Sequence, residues 1–157
     1  MKQDFRIPID RILHSHGVAE YMYSNAGRYE LNPDEMYVLG LLHDIGYVSD
    51  KANHESAGAL LLQKLGYNGY EPILWHGTTP DDFLSNRKQN TLPSELRLLL
   101  EANLQINSKG EFVGYMSRLD EVKEEYGINS RVYRVCRSTI EWLLNNPCQG
   151  SDSEYDI

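Results

Sequence analysis

Two polar residues, His43 and Asp44, interrupt an apolar run that extends from Tyr37 to Val48. The run predicts a buried helix, because its apolar residues leave almost no polar face. A carboxylate in such a place costs several kcal/mol unless its charge is compensated. A divalent metal ion would compensate it, with the neighbouring imidazole as a second ligand. The same two residues would also fit a partly exposed helix end, or an aspartate paired with an arginine.

The size and charge of the chain narrow its class. It has 157 residues, enough for one domain with a proper core, and a formal net charge of −8. This acidic balance provides no general surface for nucleic acid or for an anionic membrane, so we expect neither as a partner. No apolar stretch has the length of a membrane span, and the first residues lack the apolar core of a signal peptide. The two cysteines, Cys136 and Cys148, lack metal-type spacing and favour a reducing compartment, so we predict a cytoplasmic protein.

Helix signals recur along the whole chain, and no long segment alternates with period two. The sequence therefore predicts an all-α fold, a single-domain bundle of about six to seven helices over residues 1–147, followed by an acidic flexible tail over 148–157. The predicted helices run from about Pro8 to Arg28, from the cap Asn32 to near Gly46, from the cap Asn53 through Leu65, from Glu71 to His76, onward from Pro93, from Met116 to Tyr126, and from Ser130 to Asn145. A turn is expected at Asn107–Gly110. The polar segment Thr78–Thr91 is predicted to be a loop and a candidate lid.

The chain contains five histidines, and they fall on or beside four consecutive predicted helices. They are His14, His16, His43, His54 and His76. A bundle can bring such residues together in its interior, where imidazole combined with carboxylate suits Fe, Mn or Zn better than Mg. Helical periodicity alone does not choose between His14 and His16, because the first helix is apolar around much of its circumference.

Four blocks of sequence resemble a known family. They are Arg11-Ile-Leu-His14-Ser-His-Gly-Val18, His43-Asp44-Ile-Gly46, His54-Glu-Ser-Ala-Gly-Ala59 and Ile73-Leu-Trp-His76. In this order they resemble the HD-domain superfamily of metal-dependent phosphohydrolases, and most of all its small single-domain branch related to dinucleoside tetraphosphate hydrolases. The resemblance extends from about Arg11 to Tyr126 and implies an HD-like helical bundle.

The resemblance also implies a site and a reaction. It assigns one or two divalent ions (Fe, Mn, Zn or Mg) to a ligand set made of His14, His43, Asp44, His54, His76 and the residue at position 103. His43 and Asp44 would be central to catalysis, with Asp44 able to bridge two ions. His16 is the reserve candidate for the place of His14. The implied reaction is hydrolysis of a nucleotide or another small phosphoester by a metal-activated water.

The sequence departs from the family pattern at two positions. Asn103 stands where an aspartate is expected, so the site has one charge fewer and metal affinity should fall. Glu101 and Asp120 are nearby carboxylates and are the candidates to substitute for it. Tyr47 stands where relatives often carry a phosphate-binding lysine, so we expect Arg87 and Lys88, in the predicted lid, to contact phosphate.

Two further expectations concern the ligand and the activity. Four aromatic side chains near the histidine segments could form a base-stacking pocket, although simple packing accounts for each of them equally well. They are Tyr47, Tyr67, Tyr70 and Trp75. The alternative to an enzyme is a non-catalytic HD-like module that binds a metal, a ligand or a partner, with a site impaired by Asn103.

Overall fold

A computed structural model describes residues 7–148, so residues 149–157 of the predicted tail lie outside the described part of the chain. The described residues form eight α-helices: α1 (Ile9–Asn25), α2 (Pro33–Leu42), α3 (His54–Lys64), α4 (Glu71–Trp75), α5 (Pro80–Arg87), α6 (Ser94–Asn103), α7 (Tyr115–Tyr126) and α8 (Arg131–Asn145). Short 3₁₀ turns follow α1 and precede α3 and α4. The prediction of an all-α bundle is confirmed.

The α2 helix begins as the sequence predicts. The Asn32 side chain accepts a hydrogen bond from the Glu35 backbone N–H at 3.1 Å, and Pro33 occupies the first turn. The helix ends at Leu42, however, and not near Gly46. His43 and Asp44 therefore lie in the tight turn after the helix, where consecutive side chains can point toward the same space.

Two details predicted from the apolar run and its flanks are wrong. Val38 and Leu41 are 41% and 40% exposed, so the run is not buried on all sides. The Asn53 side chain does not cap α3, because its amide is turned toward Asp50, 3.4 Å away.

The predicted loop Thr78–Thr91 contains an additional helix, α5. Its start has the same chemistry as that of α2, since Thr79 accepts a hydrogen bond from the Asp82 backbone N–H at 3.2 Å and Pro80 follows the cap. Phe83 anchors the helix by packing edge-on against Trp75. The abundance of polar residues concealed a short helix, which Phe83 and Leu84 hold to the core.

The core has two parts, and α6 faces both of them. One part joins α1, α2, α3, α4 and α6 around Met22, Leu39, Leu62, Ile73, Leu98 and Leu99. The other joins α5, α6, α7 and α8 around Phe83, Leu96, Leu100, Leu119, Ile140 and Leu143. Because α1 to α4 pack around the first part, the chain segments that carry histidines are brought to one end of it.

Close backbone contact between Gly46 and α3 fixes the turn that follows Asp44. A Cβ atom on Gly46 would lie 1.8 Å from the carbonyl oxygen of His54, which no side chain allows. The glycine therefore lets the turn after Asp44 lie directly against the start of α3 and so brings Asp44 close to His54. Within residues 7–148, no helix is both long enough and apolar enough to cross a membrane.

Candidate metal centre

Asp44 lies at the centre of the histidine cluster and is 4% exposed. Its Oδ2 atom is 3.2 Å from His43 Nε2. Its Oδ1 atom is 3.3 Å from His54 Nε2 and 3.5 Å from His76 Nε2. The two oxygens of one carboxylate thus face different imidazoles.

The potential ligand atoms fall into two groups, within each of which all atoms lie within 4.8 Å of one another. The first donor group consists of His14, His43 and Asp44, and the second donor group consists of Asp44, His54 and His76. Asp44 belongs to both. This is the arrangement expected of a carboxylate that bridges two ions.

Backbone carbonyl groups hold the imidazole rings in position. His43 and His76 each donate Nδ1–H to the carbonyl oxygen three residues earlier in the chain, at 2.7 and 2.5 Å. His14 donates Nδ1–H to the Asn107 carbonyl oxygen at 3.2 Å, in the turn predicted at that position. A carbonyl oxygen can only accept, so each ring carries a proton on Nδ1, and the neutral form of each ring presents its Nε2 lone pair to the interior.

The unpaired polar atoms of this centre fit a metal ion. Among the described residues, His43 Nε2 and Asp44 Oδ2 are buried polar atoms with no hydrogen-bond partner. Buried polar atoms are rarely left in that state. Ligands of a four-coordinate ion at about 2.1 Å lie roughly 3.4 Å apart, and the separations around Asp44 of 3.2 to 3.5 Å match that spacing. Imidazole nitrogens dominate the set, which favours Fe, Mn or Zn over Mg.

The protonation states also favour a cation. Burial, and then the neighbouring His43, lower the pKa of His14 to about 3, so this imidazole is neutral at physiological pH. Burial alone would raise the pKa of Asp44, but the neighbouring imidazoles of His43, His54 and His76 hold it well below its usual range. The centre therefore combines an ionised carboxylate with a neutral imidazole, the forms in which both bind metal.

Asn103 lies at the first donor group, as the register of the resemblance implies. Its Oδ1 atom is 2.7 Å from His14 Nε2. The Arg118 guanidinium donates from Nε to the Asn103 carbonyl oxygen at 3.3 Å and fixes the end of α6. The amide oxygen is thus in position to be a neutral ligand.

Neither carboxylate suggested as a substitute for the missing aspartate contacts the donor groups. Glu101 is buried elsewhere, where Arg28 Nη2 lies 2.5 Å from its Oε2 and Tyr29 donates to its Oε1. Asp120 is exposed on α7. In a helix, residues 101 and 103 point to different faces, which is why Glu101 is directed away.

Arg11 approaches the same carboxylate from α1, one helical turn before His14. Its Nη1 atom is 3.6 Å from Asp44 Oδ2, and its side chain is 10% exposed. The guanidinium also lies over the Tyr47 ring, 5.6 Å from the centroid. The pairing of aspartate with arginine, which the sequence allowed as an alternative to a metal site, therefore exists alongside the histidine cluster.

A pocket of about 630 Å³ opens onto the second donor group. Cations line it, including Arg11, Lys51, Arg118 and Arg131, and the Tyr47 ring stacks on His54 with centroids 4.3 Å apart. The helices α7 and α8 also contribute three aliphatic side chains to the lining, Val122, Val132 and Val135. The lining of the pocket thus combines charged and apolar groups.

The structure places the other residues singled out in the sequence away from this centre. His16 is exposed and faces Glu20 at 3.5 Å. Arg87 lines a separate pocket of about 780 Å³, together with Tyr67 and Trp75, and pairs with Glu71 at 2.5 Å.

Lys88, at the end of α5, is exposed and lines neither pocket, and Tyr70 packs against the core. Of the four aromatic residues, only Tyr47 reaches the metal pocket. Arg11 was missed as a pocket residue, because its sequence context does not distinguish it from a surface arginine.

Comparison with curated proteins and with solved structures finds no match for this chain. Comparison with protein families gives one result, a match to the HD domain over residues 11–106. That range contains every member of the two donor groups and Asn103. More than half of the chain is covered, and the chain therefore belongs to the HD domain family.

Proposed function

We propose that this protein is a metal-dependent phosphohydrolase that acts on a small phosphoester, such as a nucleotide. One observation carries the proposal: two groups of metal-ligand atoms share Asp44 beside a pocket that is lined with cations. Membership of the HD domain family, whose superfamily comprises metal-dependent phosphohydrolases, supports the same conclusion.

The residues of the centre have separate tasks in this proposal. His14, His43 and Asp44 would hold one ion and Asp44, His54 and His76 the other. A bound divalent ion would neutralise phosphate charge and lower the pKa of a water for attack on phosphorus. Asp44 stays ionised throughout, because the surrounding imidazoles keep its pKa low, and so it is a ligand and not a proton acceptor.

The phosphate contacts are proposed for residues of the pocket. Arg11 lies beside Asp44 and Lys51 lies near the pocket mouth, so each can approach a phosphate held at the second donor group. We favour them over the predicted Arg87 and Lys88, because Arg87 is paired with Glu71 at another pocket.

The finer proposal is a substrate with an organic group next to its phosphate. A pocket of about 630 Å³ is large enough for a nucleotide, and the valine side chains of its lining would contact that organic group. A dinucleoside polyphosphate, the substrate class of the branch that the sequence resembles most, belongs in the first panel of compounds. Cytoplasmic placement remains a prediction from the sequence.

A non-catalytic metal-binding or ligand-binding module is the second candidate, and Asn103 is the observation that favours it. The amide contributes no charge to the first donor group, so an ion there is held by one carboxylate only. Such a site can retain an ion in a ligand-binding protein and yet bind it too weakly for turnover.

The test compares metal content and hydrolysis in three proteins purified without chelator. They are the unaltered chain, the variant His43→Ala, and the matched control His16→Ala, which removes an exposed histidine. We expect one to two equivalents of metal, and phosphate release from nucleotides, dinucleoside polyphosphates or aryl phosphates, in the unaltered chain and the control only. Metal without hydrolysis of any compound would support the non-catalytic module. Equal metal content in all three would refute the site itself.

A further inference from the structure

We infer that Glu121 is a positioning residue of the first donor group, because it connects the turn that orients His14 with the arginine that holds Asn103. This inference rests on the proposed metal centre and adds to it a residue that the family resemblance did not assign. Glu121 lies on α7, beyond residues 11–106 that match the HD domain.

The orientation of His14 depends on a distant part of the chain. Carbonyl oxygens three residues earlier hold the rings of His43 and His76, at 2.7 and 2.5 Å. The His14 ring instead donates to the carbonyl oxygen of Asn107, 93 residues further along the chain, at 3.2 Å. The position of the His14 ring is therefore only as well defined as that of the Asn107 carbonyl group.

Glu121 binds the other side of the same peptide group. Its Oε2 atom accepts a hydrogen bond from the Ser108 hydroxyl at 2.8 Å, and both carboxylate oxygens lie 3.3 Å from the Ser108 backbone nitrogen. The Asn107 carbonyl and the Ser108 N–H belong to one planar peptide group. Glu121 therefore fixes the plane whose carbonyl oxygen receives the proton of His14.

Arg118 extends this connection to Asn103. Its guanidinium donates from Nη1 to Glu121 Oε1, and from Nε to the Asn103 carbonyl oxygen at 3.3 Å. The Asn103 Oδ1 atom in turn lies 2.7 Å from His14 Nε2. Two series of contacts thus lead from one carboxylate to the two nitrogens of the His14 ring.

The charge of Glu121 strengthens these contacts. Burial alone would raise the pKa of Glu121, but the hydrogen bonds from Ser108 and the charge of Arg118 lower it, so the carboxylate is ionised at physiological pH. Hydrogen bonds to an ionised acceptor are about twice as strong as those between neutral groups. The Arg118 side chain is 7% exposed, which limits the competition of water for its part of the connection.

The test measures Mn²⁺ binding to the full chain by calorimetry. Glu121→Gln keeps the size of the side chain and removes its charge, and it should weaken one Mn²⁺ site about tenfold, the lower end of the range for groups that orient metal ligands. Glu121→Asp keeps the charge and should lose less. Glu124→Gln, an exposed glutamate of α7 away from both pockets, is the matched control and should bind like the unaltered chain.

A second histidine substitution separates positioning of His14 from general stabilisation of α7. In a protein that already carries His14→Ala, Glu121→Gln should have no further effect on Mn²⁺ binding. In a protein that carries His54→Ala and retains the first donor group, it should weaken binding by the same factor as in the unaltered chain. Ser108→Ala removes one donor without changing any charge, and it should weaken the same site by a smaller factor.

Nuclear magnetic resonance of the imidazole rings gives a measurement that needs no metal. In metal-free protein, Glu121→Gln should change the ring resonances of His14 and leave those of His76 unaltered, because the Ile73 carbonyl that holds His76 does not contact Glu121.

Unaltered Mn²⁺ affinity in Glu121→Gln, or an equal loss with and without His14→Ala, would overturn the inference. Absence of Mn²⁺ binding by the unaltered chain would refute the proposed centre itself. His14 resonances that Glu121→Gln leaves unchanged would refute the positioning role whether or not the chain binds Mn²⁺.

Discussion

Arg11 is the residue whose removal tests the electrostatic description of the centre most directly. In protein freed of metal, Arg11 is the only permanently charged cation placed within 4 Å of the Asp44 carboxylate among the described residues. Replacing it with methionine keeps most of the apolar contacts of its stem and removes the charge. We expect Arg11→Met to lower the free energy of unfolding of the metal-free protein.

The distance sets the size of the effect. Two unit charges 3.6 Å apart attract by about 4 to 5 kcal/mol at an effective dielectric constant of ~20. Removing the arginine also removes the cost of burying it, while breaking a buried pair commonly costs about 3–5 kcal/mol. We therefore expect a loss of about 2–3 kcal/mol at pH 8.

Urea denaturation in the presence of a chelator measures this loss. Arg137→Met is the control, because Arg137 pairs with Glu141 at 3.2 Å in full contact with solvent and should contribute less than about 1 kcal/mol. The double variant Arg11→Met with Asp44→Asn should recover much of the stability, since no buried charge is then left unpaired. A loss below about 1 kcal/mol, or no recovery in the double variant, would refute the claim that Arg11 neutralises Asp44.

Three further predictions follow from the structure. Burial lowers the pKa of His14 to about 3, so its unfolded form binds a proton that the folded form does not. As the pH falls below 6.5, the metal-free protein should therefore lose stability, with a slope that approaches about 1.4 kcal/mol per pH unit near pH 5. A slope that persists in His14→Gln would contradict this. Burial alone would lower the pKa of His76, but Asp44 raises it above the unfolded value. The stability that protonated His76 contributes should therefore be lost as the pH rises above 6.5. Denaturation of His76→Gln measured across this pH range should show no such loss. Asn103→Asp should tighten Mn²⁺ binding about tenfold or more in calorimetry, because it adds charge 2.7 Å from His14 Nε2; unchanged affinity would mean that position 103 is not a ligand.

The sequence predicted the fold class and most helices because their signals are local. Asn32 caps α2 as expected, by accepting from the backbone N–H of Glu35. The helix predicted from Ser130 also begins there, with the Ser130 side chain accepting from the backbone N–H of Tyr133. The end of α2 was harder to predict, since the apolar run continues beyond Leu42 and only the close contact at Gly46 stops the helix. That contact joins Gly46 to the backbone of His54 in the next helix, so the helical pattern of residues 37–48 does not predict it.

The histidines and Asp44 could be found from the sequence because their order along the chain resembles a family. Arg11 could not, although it lies only three residues before His14. Its contact with Asp44 depends on where its long side chain extends, which tertiary packing decides. Tertiary packing also decides the partner of Arg87, which the sequence analysis predicted to contact phosphate. Its pairing with Glu71 depends on α5, a helix that the sequence did not predict.

Asp44 turns its two oxygens toward different imidazoles, and this makes the two donor groups a linked system. A carboxylate is a rigid plane, so fixing one oxygen orients the other. An ion bound at one group would change the free energy of binding at the other, because orientation of the carboxylate would favour the second ion and charge repulsion would oppose it. By thermodynamic reciprocity, the second ion would change the affinity for the first by the same factor. A substitution that tilts the Asp44 carboxylate would therefore shift both affinities together.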